Sequence, residues 1–274
     1  MTASPAPCVI RDLDSLADYD ACVALQDDTW GHGFSERVPG AILRVAQKIG
    51  GVAAGAFDDT GRLLGFVFGM TGVRSGALVH WSDMLAVRPE ARGTGLGEQL
   101  KHYQRDRVRD LGVSIMLWTA DPLVARNAHF NINHLGAFPA EYVENMYGDN
   151  TGSVLHGAMP TDRIVYRWAL EASAPVDRTG VAARGDEHLP AAIAFGADGT
   201  PIGTTTMDAR QVRIHVPHDL TQIQSVSTAL ALAWRITVRA AFLTRLGRGD
   251  TVTRFVRGVG DTLPYYVLGA GHGT

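Results

Sequence analysis

The run Arg92-Gly93-Thr94-Gly95-Leu96-Gly97 places a guanidinium and three side-chain-free residues between a segment that alternates like a strand and one that repeats like a helix. The first turn of a helix offers unpaired N–H donors at the positive end of its dipole, so an anion docks there. Glycines at 93, 95 and 97 would let a diphosphate approach the main chain. A Walker-type loop ends in Gly-Lys-Ser/Thr, whereas Glu98 and Gln99 follow Gly97 here. A dinucleotide fingerprint is G-x-G-x-x-G at the start of a parallel βαβ unit. G-x-G-x-G after an antiparallel meander is neither, which disfavours a nucleotide-dependent oxidoreductase. A turn that merely starts a helix is the competing explanation; the glycine count and the preceding strand favour the diphosphate. Just upstream, "HWSDMLAV" holds His80 and Asp83. Alternation places Trp81, Asp83, Leu85 and Val87 on one face and His80, Ser82 and Met84 on the other. A carboxylate in so apolar a strand is costly unless paired, for instance with Arg88 or Arg92, or used. Burial would raise its pKa toward a working base.

These residues need a scaffold, and the periodicity supplies one. Residues 8–12 read as a strand, and Asp14 or Ser15 caps a helix running to about Trp30. A second helix spans 39–50, with Pro39 in its first turn and Gly50-Gly51 at its end. Three apolar runs, 52–57, 63–73 and 77–87, are separated by turns at 58–61 and near Ser75-Gly76, which predicts an antiparallel meander. The glycine loop opens a helix with Leu96, Leu100, Tyr103 and Leu111 on one face. A strand over 113–120, a helix from about Pro122 to Leu135 and a strand over 163–170 follow. Residues 171–188, rich in Pro, Gly, Ser and charge, read as a linker or long loop. Beyond it come a hairpin (191–195 and 201–207), a strand (211–217), a helix (226–246) and strands at 251–256 and 265–268. The predicted class is α/β in the α+β sense: a mostly antiparallel mixed sheet flanked by helices over 1–170, and a smaller α+β extension over 189–274.

With 274 residues, 46% of them hydrophobic, the chain can bury a sizeable core. A formal charge of −3 gives no sign of a nucleic-acid or membrane-surface partner. The opening "MTASPAPCVIRDLD" has neither a basic nor an apolar signal region, and no apolar run is long enough to span a bilayer, so a cytoplasmic location is expected. Cys8 and Cys22 form no disulfide framework, and the ten histidines lack metal-ligand spacing, so no metal is expected.

Arg-x-x-Gly-x-Gly after a strand ending "LAV-x-P-E" resembles the acyl-coenzyme A loop of the GNAT N-acyltransferase superfamily, and the predicted element order matches it over residues 8–170. The later segments "DPLVARNAHFNINHLGAFPAEYVENMYGD", "GAMPTDRIVYRWAL" and "LALAWRITVRAAF" are similar to a bacterial subfamily with a C-terminal extension. Some members of that subfamily accompany racemases of N-succinylated amino acids. The resemblance implies that Leu85, Ala86 and Val87 pair with pantetheine amides. It implies that Arg92, Gly93, Thr94, Gly95, Leu96 and Gly97 hold the diphosphate, and that Asn127 and Phe130 line the cofactor channel. It further implies acetyl-CoA or another acyl-CoA as co-substrate, a small-molecule amine as acceptor, Asp83 as base and His80 as its weaker rival. The family's usual tyrosine acid, four residues before a glycine, is Ile132 here, counted from Gly136. Tyr142 and Tyr147 are the nearest substitutes, or else packed aromatics. Arg163 in "PTDR" would grip a carboxylate of acceptor or donor, or pair with Asp162. Trp234, Arg235 and Arg239 share a helix face, as core plus solvated charge or as a substrate cover. A homodimer is allowed. A binding module that kept the loop and lost catalysis is the alternative function.

Overall fold

A computed structural model describes residues 8–148, 151–155, 159–171, 178–204 and 208–270. Ser15 accepts from Asp18 N–H while the Asp18 side chain returns to the Ser15 N–H, and this reciprocal cap starts α1 (Leu16–Trp30) after strand β1 (Val9–Asp12). Pro39, fixed in an extended conformation, precedes α2 (Gly40–Lys48), which ends as Gly51 N–H turns back to Ala46 C=O at 2.7 Å. The meander is β2 (Val52–Phe57), β3 (Leu63–Arg74) and β4 (Ala77–Val87). Ser75 and Gly76, both at positive φ, make the tight hairpin between the last two. A 3-10 turn (Pro89–Ala91), α3 (Leu96–Arg109) and β5 (Ile115–Ala120) follow.

The chain divides into two compact units. The first comprises residues 1–118, 150–157 and 168–172. Its strands run in the order β1-β2-β3-β4-β5, antiparallel except for the β4–β5 pair. One buried cluster unites Leu13, Cys22, Leu25 and Leu43 with Phe66, Phe68, Met84 and Ala86, so α1 and α2 cover one face of the sheet.

The second unit comprises residues 119–149, 158–167 and 173–274. It starts with α4 (Ala125–Ala128), which widens into a π-helical turn over His129–His134, where one longer helix was predicted. Strand β6 (Phe138–Val143), which the sequence pattern did not suggest, lies antiparallel to β7 (Arg163–Ala169). The hairpin is β8 (Ile193–Phe195) with β9 (Pro201–Gly203); the rest of its predicted second strand, 205–207, lies outside the described residues, as does 172–177 of the predicted linker. Strands β10 (Gln211–His215), β11 (Asp250–Val256) and β12 (Tyr265–Ala270) form a sheet in the order β10-β12-β11. The predicted helix over 226–246 is two, α5 (Leu220–Val226) and α6 (Thr228–Leu246). Ser227 is extended between them and caps the second, accepting from Leu230 N–H. The observed partition therefore runs elsewhere than residue 170: segments expected in the first domain pack with the extension. Among the described residues no helix is long and apolar enough to cross a membrane, and no cluster of His, Cys, Asp or Glu is placed to hold a metal.

Candidate functional site

In the first unit, β4 is paired with β3 along its length, but with β5 only where Val79, His80 and Trp81 meet Ile115, Met116 and Leu117. From Ser82 onward the other edge of β4 has no strand partner among the described residues. Arg88 N–H donates to Leu64 C=O at 2.8 Å, which fixes the parity of the antiparallel ladder. Ala86 turns its peptide groups toward β3, while Leu85 and Val87 turn theirs to the open edge. The Val87 carbonyl there accepts from Arg92 Nε at 3.0 Å.

The turn beyond is held by Thr94 Oγ1 donating to Ala91 C=O at 2.8 Å. Gly93 and Gly95 have φ of 78° and 83°, with open space where a Cβ would stand. Gly97 differs from expectation. It lies inside the helix, and a Cβ there would make ordinary contacts with Leu85 and Val87 at 3.9 Å. Gly95 occupies the N-cap with no side chain to cap α3, and Glu98 and Gln99 N–H return to its carbonyl at 3.1 Å. Among the described residues, none of the N–H groups from Gly93 to Gly97 has an acceptor. A run of bare donors at a helix start is a ready anion site.

Asp83 breaks the predicted alternation. Phe68 faces Met84 and Gly69 faces Ser82, so Asp83 is the additional residue of a β-bulge. Downstream of it the faces exchange: Met84 and Ala86 enter the α1–α2 core, while Leu85 and Val87 join His80 and Ser82 on the α3 side. Neither predicted arginine pairs with Asp83. Arg88 donates to Leu63 C=O and Asp28, and Arg92 to Val87 C=O. The Asp83 side chain is exposed, yet the protein around it thins its hydration and holds its carboxyl above the ordinary range. The Trp81 side chain donates to it and lowers its pKa in part, and the Glu36 carboxylate raises it further.

His80 is fully buried rather than solvated at a strand end. Lys101 Nζ donates to Ser82 Oγ at 2.7 Å, Ser82 donates to Gln104 Oε1 at 2.7 Å, and the Gln104 amide reaches His80 Nε2 at 3.0 Å. His80 Nδ1 lies 2.9 Å from Thr71 Oγ1, which donates to Gly50 C=O at 2.6 Å. The directions leave one consistent assignment: Thr71 spends its proton on Gly50, so His80 Nδ1 carries a hydrogen and Nε2 accepts. Burial, with the Lys101 charge adding, holds the His80 pKa down at about 3, and burial alone lowers Lys101 to about 7. The Lys101 ammonium position lies 4.0 Å from the Trp118 ring centre. A Cβ on Gly69 would collide with the His80 ring, the Trp81 carbonyl and the Gln104 amide, so glycine is required beneath this chain.

In the second unit Asn127 and Phe130 are half-buried, Asn127 N–H donating to Val124 C=O at 2.9 Å and the Phe130 ring lying 6.3 Å from His134. Tyr142 is buried against Phe242, and its hydroxyl donates to Asp162 Oδ2 at 2.7 Å. Burial first, then the Asp162 charge, drives its pKa far above the usual phenol range, and it is committed to packing. Tyr147 is half-buried with its hydroxyl 2.9 Å from Thr119 Oγ1. Arg163 is buried, donates to Asp162 C=O at 2.9 Å, and lies 5.2 Å from the Tyr147 ring centre and 3.9 Å from Asp121. Asp162 pairs not with Arg163 but bidentately with Arg239, at 2.6 and 2.8 Å, while its Oδ1 also accepts Asn145 N–H. Asp121 is gripped bidentately by Arg235 at 2.5 and 2.8 Å.

Two features escaped the sequence reading. Lys101 and Gln104 share the buried face of α3 with Val108, at spacings of three and four, whereas Leu111, expected there, is 50% exposed beyond the helix end. The Arg235 and Arg239 spacing was visible, but their acids lie 114 and 77 residues away in sequence.

No protein-family model and no curated protein matches the chain. Among solved structures it is similar to the ribosomal-protein-S18-alanine N-acetyltransferase of Escherichia coli, at 18% identity and a TM-score of 0.47 over 61% of this chain and 97% of that one. It is similar to an N-acetyltransferase of Staphylococcus aureus Mu50, at 17% identity and a TM-score of 0.48 over 61% and 100%. An aminoglycoside 6'-N-acetyltransferase complexed with coenzyme A aligns at 14% identity and a TM-score of 0.46 over 61% and 99%.

Proposed function

We propose that the chain is a coenzyme A-dependent N-acyltransferase that moves an acyl group from acyl-CoA directly to the primary amine of a small molecule. What supports this most is one strand and the turn after it: an open main-chain edge at Leu85 and Val87 leads into unaccepted N–H donors from Gly93 to Gly97. A flexible arm bearing amides and ending in a diphosphate complements that order of groups. The edge of β4 pairs with the amides as with an added strand, and the turn takes the phosphates. The residues assigned to the group are Leu85 and Val87 for the arm, Ala86 being corrected from the expectation because its peptide groups are taken by β3, and Arg92, Gly93, Thr94, Gly95, Leu96 and Gly97 for the diphosphate. Acyl-CoA, once bound, supplies an electrophilic thioester carbonyl.

At neutral pH the acceptor amine arrives protonated, and Asp83 takes that proton, directly or through one water. The open-edge N–H of Leu85 meets the negative charge that develops on the carbonyl oxygen. A C–N bond forms and the C–S bond breaks. Tyr147 is the tyrosine assigned to protonate the leaving sulfur, since the Tyr142 hydroxyl is held by Asp162. The second proton that the nitrogen sheds on becoming an amide restores that phenol through water. Cys22 is buried with its thiol pushed up to about 12, which argues against a covalent acyl-cysteine. Acetyl is the simplest donor group; a succinyl-type donor or an amino-acid acceptor would bring a carboxylate, for which Arg163 is the assigned partner. The second reading, an acyl-CoA-binding module without turnover, draws on the Ile132 that stands four residues before Gly136.

Calorimetry with coenzyme A tests the loop. Gly95→Glu would strain a residue at φ 83°, so Gly97→Glu, inside the helix, is the cleaner probe, with Gly97→Ala as control. A carboxylate about 5 Å from a phosphate charge, at an effective dielectric of ~20, repels by about 3 kcal/mol, or more than ~100-fold in affinity. Unchanged affinity in a folded Gly97→Glu protein would remove the assignment. Thiol release from acetyl- and succinyl-CoA over an amine panel separates enzyme from binding module.

A further inference from the structure

A cleft of about 340 Å³ in the second unit is lined by Arg126, His129, His218 and Arg257, and none of its lining residues is acidic. Its size falls within the ~300–1,000 Å³ typical of small-molecule sites. The wall is assembled from three places in the chain. Arg126 and His129 come from α4 and the π-helical turn, His218 precedes α5, and Arg257 follows β11. The positions are built rather than incidental. A Cβ on Gly258, also in the lining, would collide with Thr262 C=O, Pro264 N and the His218 ring, so only glycine lets this wall close up. The Arg257 N–H is tied to Gly180 C=O at 2.7 Å.

The charge there is uncompensated. Among the described residues, the ion pairs are made by other cations, and neither Arg126 nor Arg257 has a carboxylate within ion-pair distance. Asp219, adjacent to His218, spends its side chain on the N–H groups of Thr221 and Gln222. The two guanidiniums around one concavity create a local positive potential and fixed donor forks suited to oxyanions, with two imidazole rings beside them. Arg126 stands four residues, about one turn, before Phe130 and so on the same side of the helix. The lining of the cleft nonetheless includes neither Asn127 nor Phe130, the residues assigned to the acyl-donor channel.

We infer that this cleft is a second ligand site, separate from the acyl-donor loop, for a small molecule carrying two oxyanion groups, phosphate or carboxylate. The inference does not depend on acyl transfer. It is tested in the Gly97→Glu background, where the loop cannot hold a diphosphate, by titrating inorganic pyrophosphate and, separately, succinate, with calorimetry and melting temperature as readouts. Saturable binding of either probe is expected, weakened at least tenfold by Arg126→Gln together with Arg257→Gln. Both arginines are exposed, so the double variant should keep the parent's circular dichroism and melting temperature. The better-bound probe identifies the headgroup chemistry. The double substitution in the otherwise wild-type chain should leave coenzyme A affinity unchanged. No binding of either probe at millimolar concentration, equal binding by the double variant, or a tenfold loss of coenzyme A affinity on its introduction would each overturn a separate site.

Discussion

Asp83 is useful because a bulge sets it outside the pairing that governs its neighbours. In a regular strand it would have followed alternation; as the additional residue opposite the Phe68–Gly69 step it projects where its carboxylate stays accessible yet poorly hydrated. A base with a raised pKa is protonated, and idle, over a wider acidic range. The acid limb of kcat/KM should therefore sit above the ordinary carboxylate value of ~4. Asp83→Asn is expected to lower kcat by ~10²–10⁴-fold with acyl-CoA affinity unchanged, and to erase that limb. The linkage sign gives a second readout. Because the folded pKa exceeds the unfolded one, the charged carboxylate destabilises the fold once pH rises past the unfolded value, so the asparagine variant should melt no lower at pH 7. An intact acid limb in that variant would take the base role from Asp83. The polar oddity of this residue was legible in the sequence. The bulge was not, because period-two counting assumes that no residue is added.

At the scale of elements, the contact between α3 and β4 is polar beside the leucines that the pattern promised, of which Leu96 and Leu100 are buried. The chain from Lys101 through Ser82, Gln104, His80 and Thr71 to Gly50 C=O satisfies each member in turn, and it grips β4 one residue before the bulge. A directed network of this kind fixes register in a way that apolar packing does not. It also leaves a measurable trace. Lys101, near 7 when folded and ~10.4 when unfolded, makes the unfolded chain bind one more proton between those values. Stability should therefore climb with pH across that window, at up to about 1.4 kcal/mol per unit, and this share should vanish in Lys101→Met. Urea unfolding at pH 7.5 and 9 in both proteins reads the difference. An identical slope would mean that the amine is charged in the folded state. His80, held at about 3, acts at the acid end, where stability is lost as pH falls from ~6.5 toward that value. The meander, the glycine turn and α3 were legible because alternation, turn residues and caps are local signals. Strand β6 and the split at Ser227 were not. β6 carries Pro139 and Glu141 at a register shift, and Ser227 sits in an apolar helical pattern that its own capping oxygen interrupts.

At the scale of the whole chain, composition pointed to a linker after residue 170 and hence to a separable extension. The charges of the second unit argue otherwise. Asp121 and Asp162 precede that boundary, and Arg235 and Arg239, which hold them, follow it on α6. Tyr266, from the last strand, donates to Pro122 C=O at 3.0 Å, and the Phe242 ring that stacks on Tyr142 also belongs to α6. Removing one partner of a buried ion pair costs ~3–5 kcal/mol, because the remaining charge is left desolvated. Two such losses approach the ~5–15 kcal/mol that holds a typical domain. A chain ending at residue 170 should therefore fail to unfold cooperatively, and Asp121→Asn in the full chain should lower stability by about 3 kcal/mol. Pairing that substitution with Arg235→Met should recover part of the loss, since the double variant buries no orphaned charge. Differential scanning calorimetry of the truncated chain decides the point: a single cooperative transition from residues 1–170 alone would restore the extension to the status of an appended domain, and its arginines to that of surface charge.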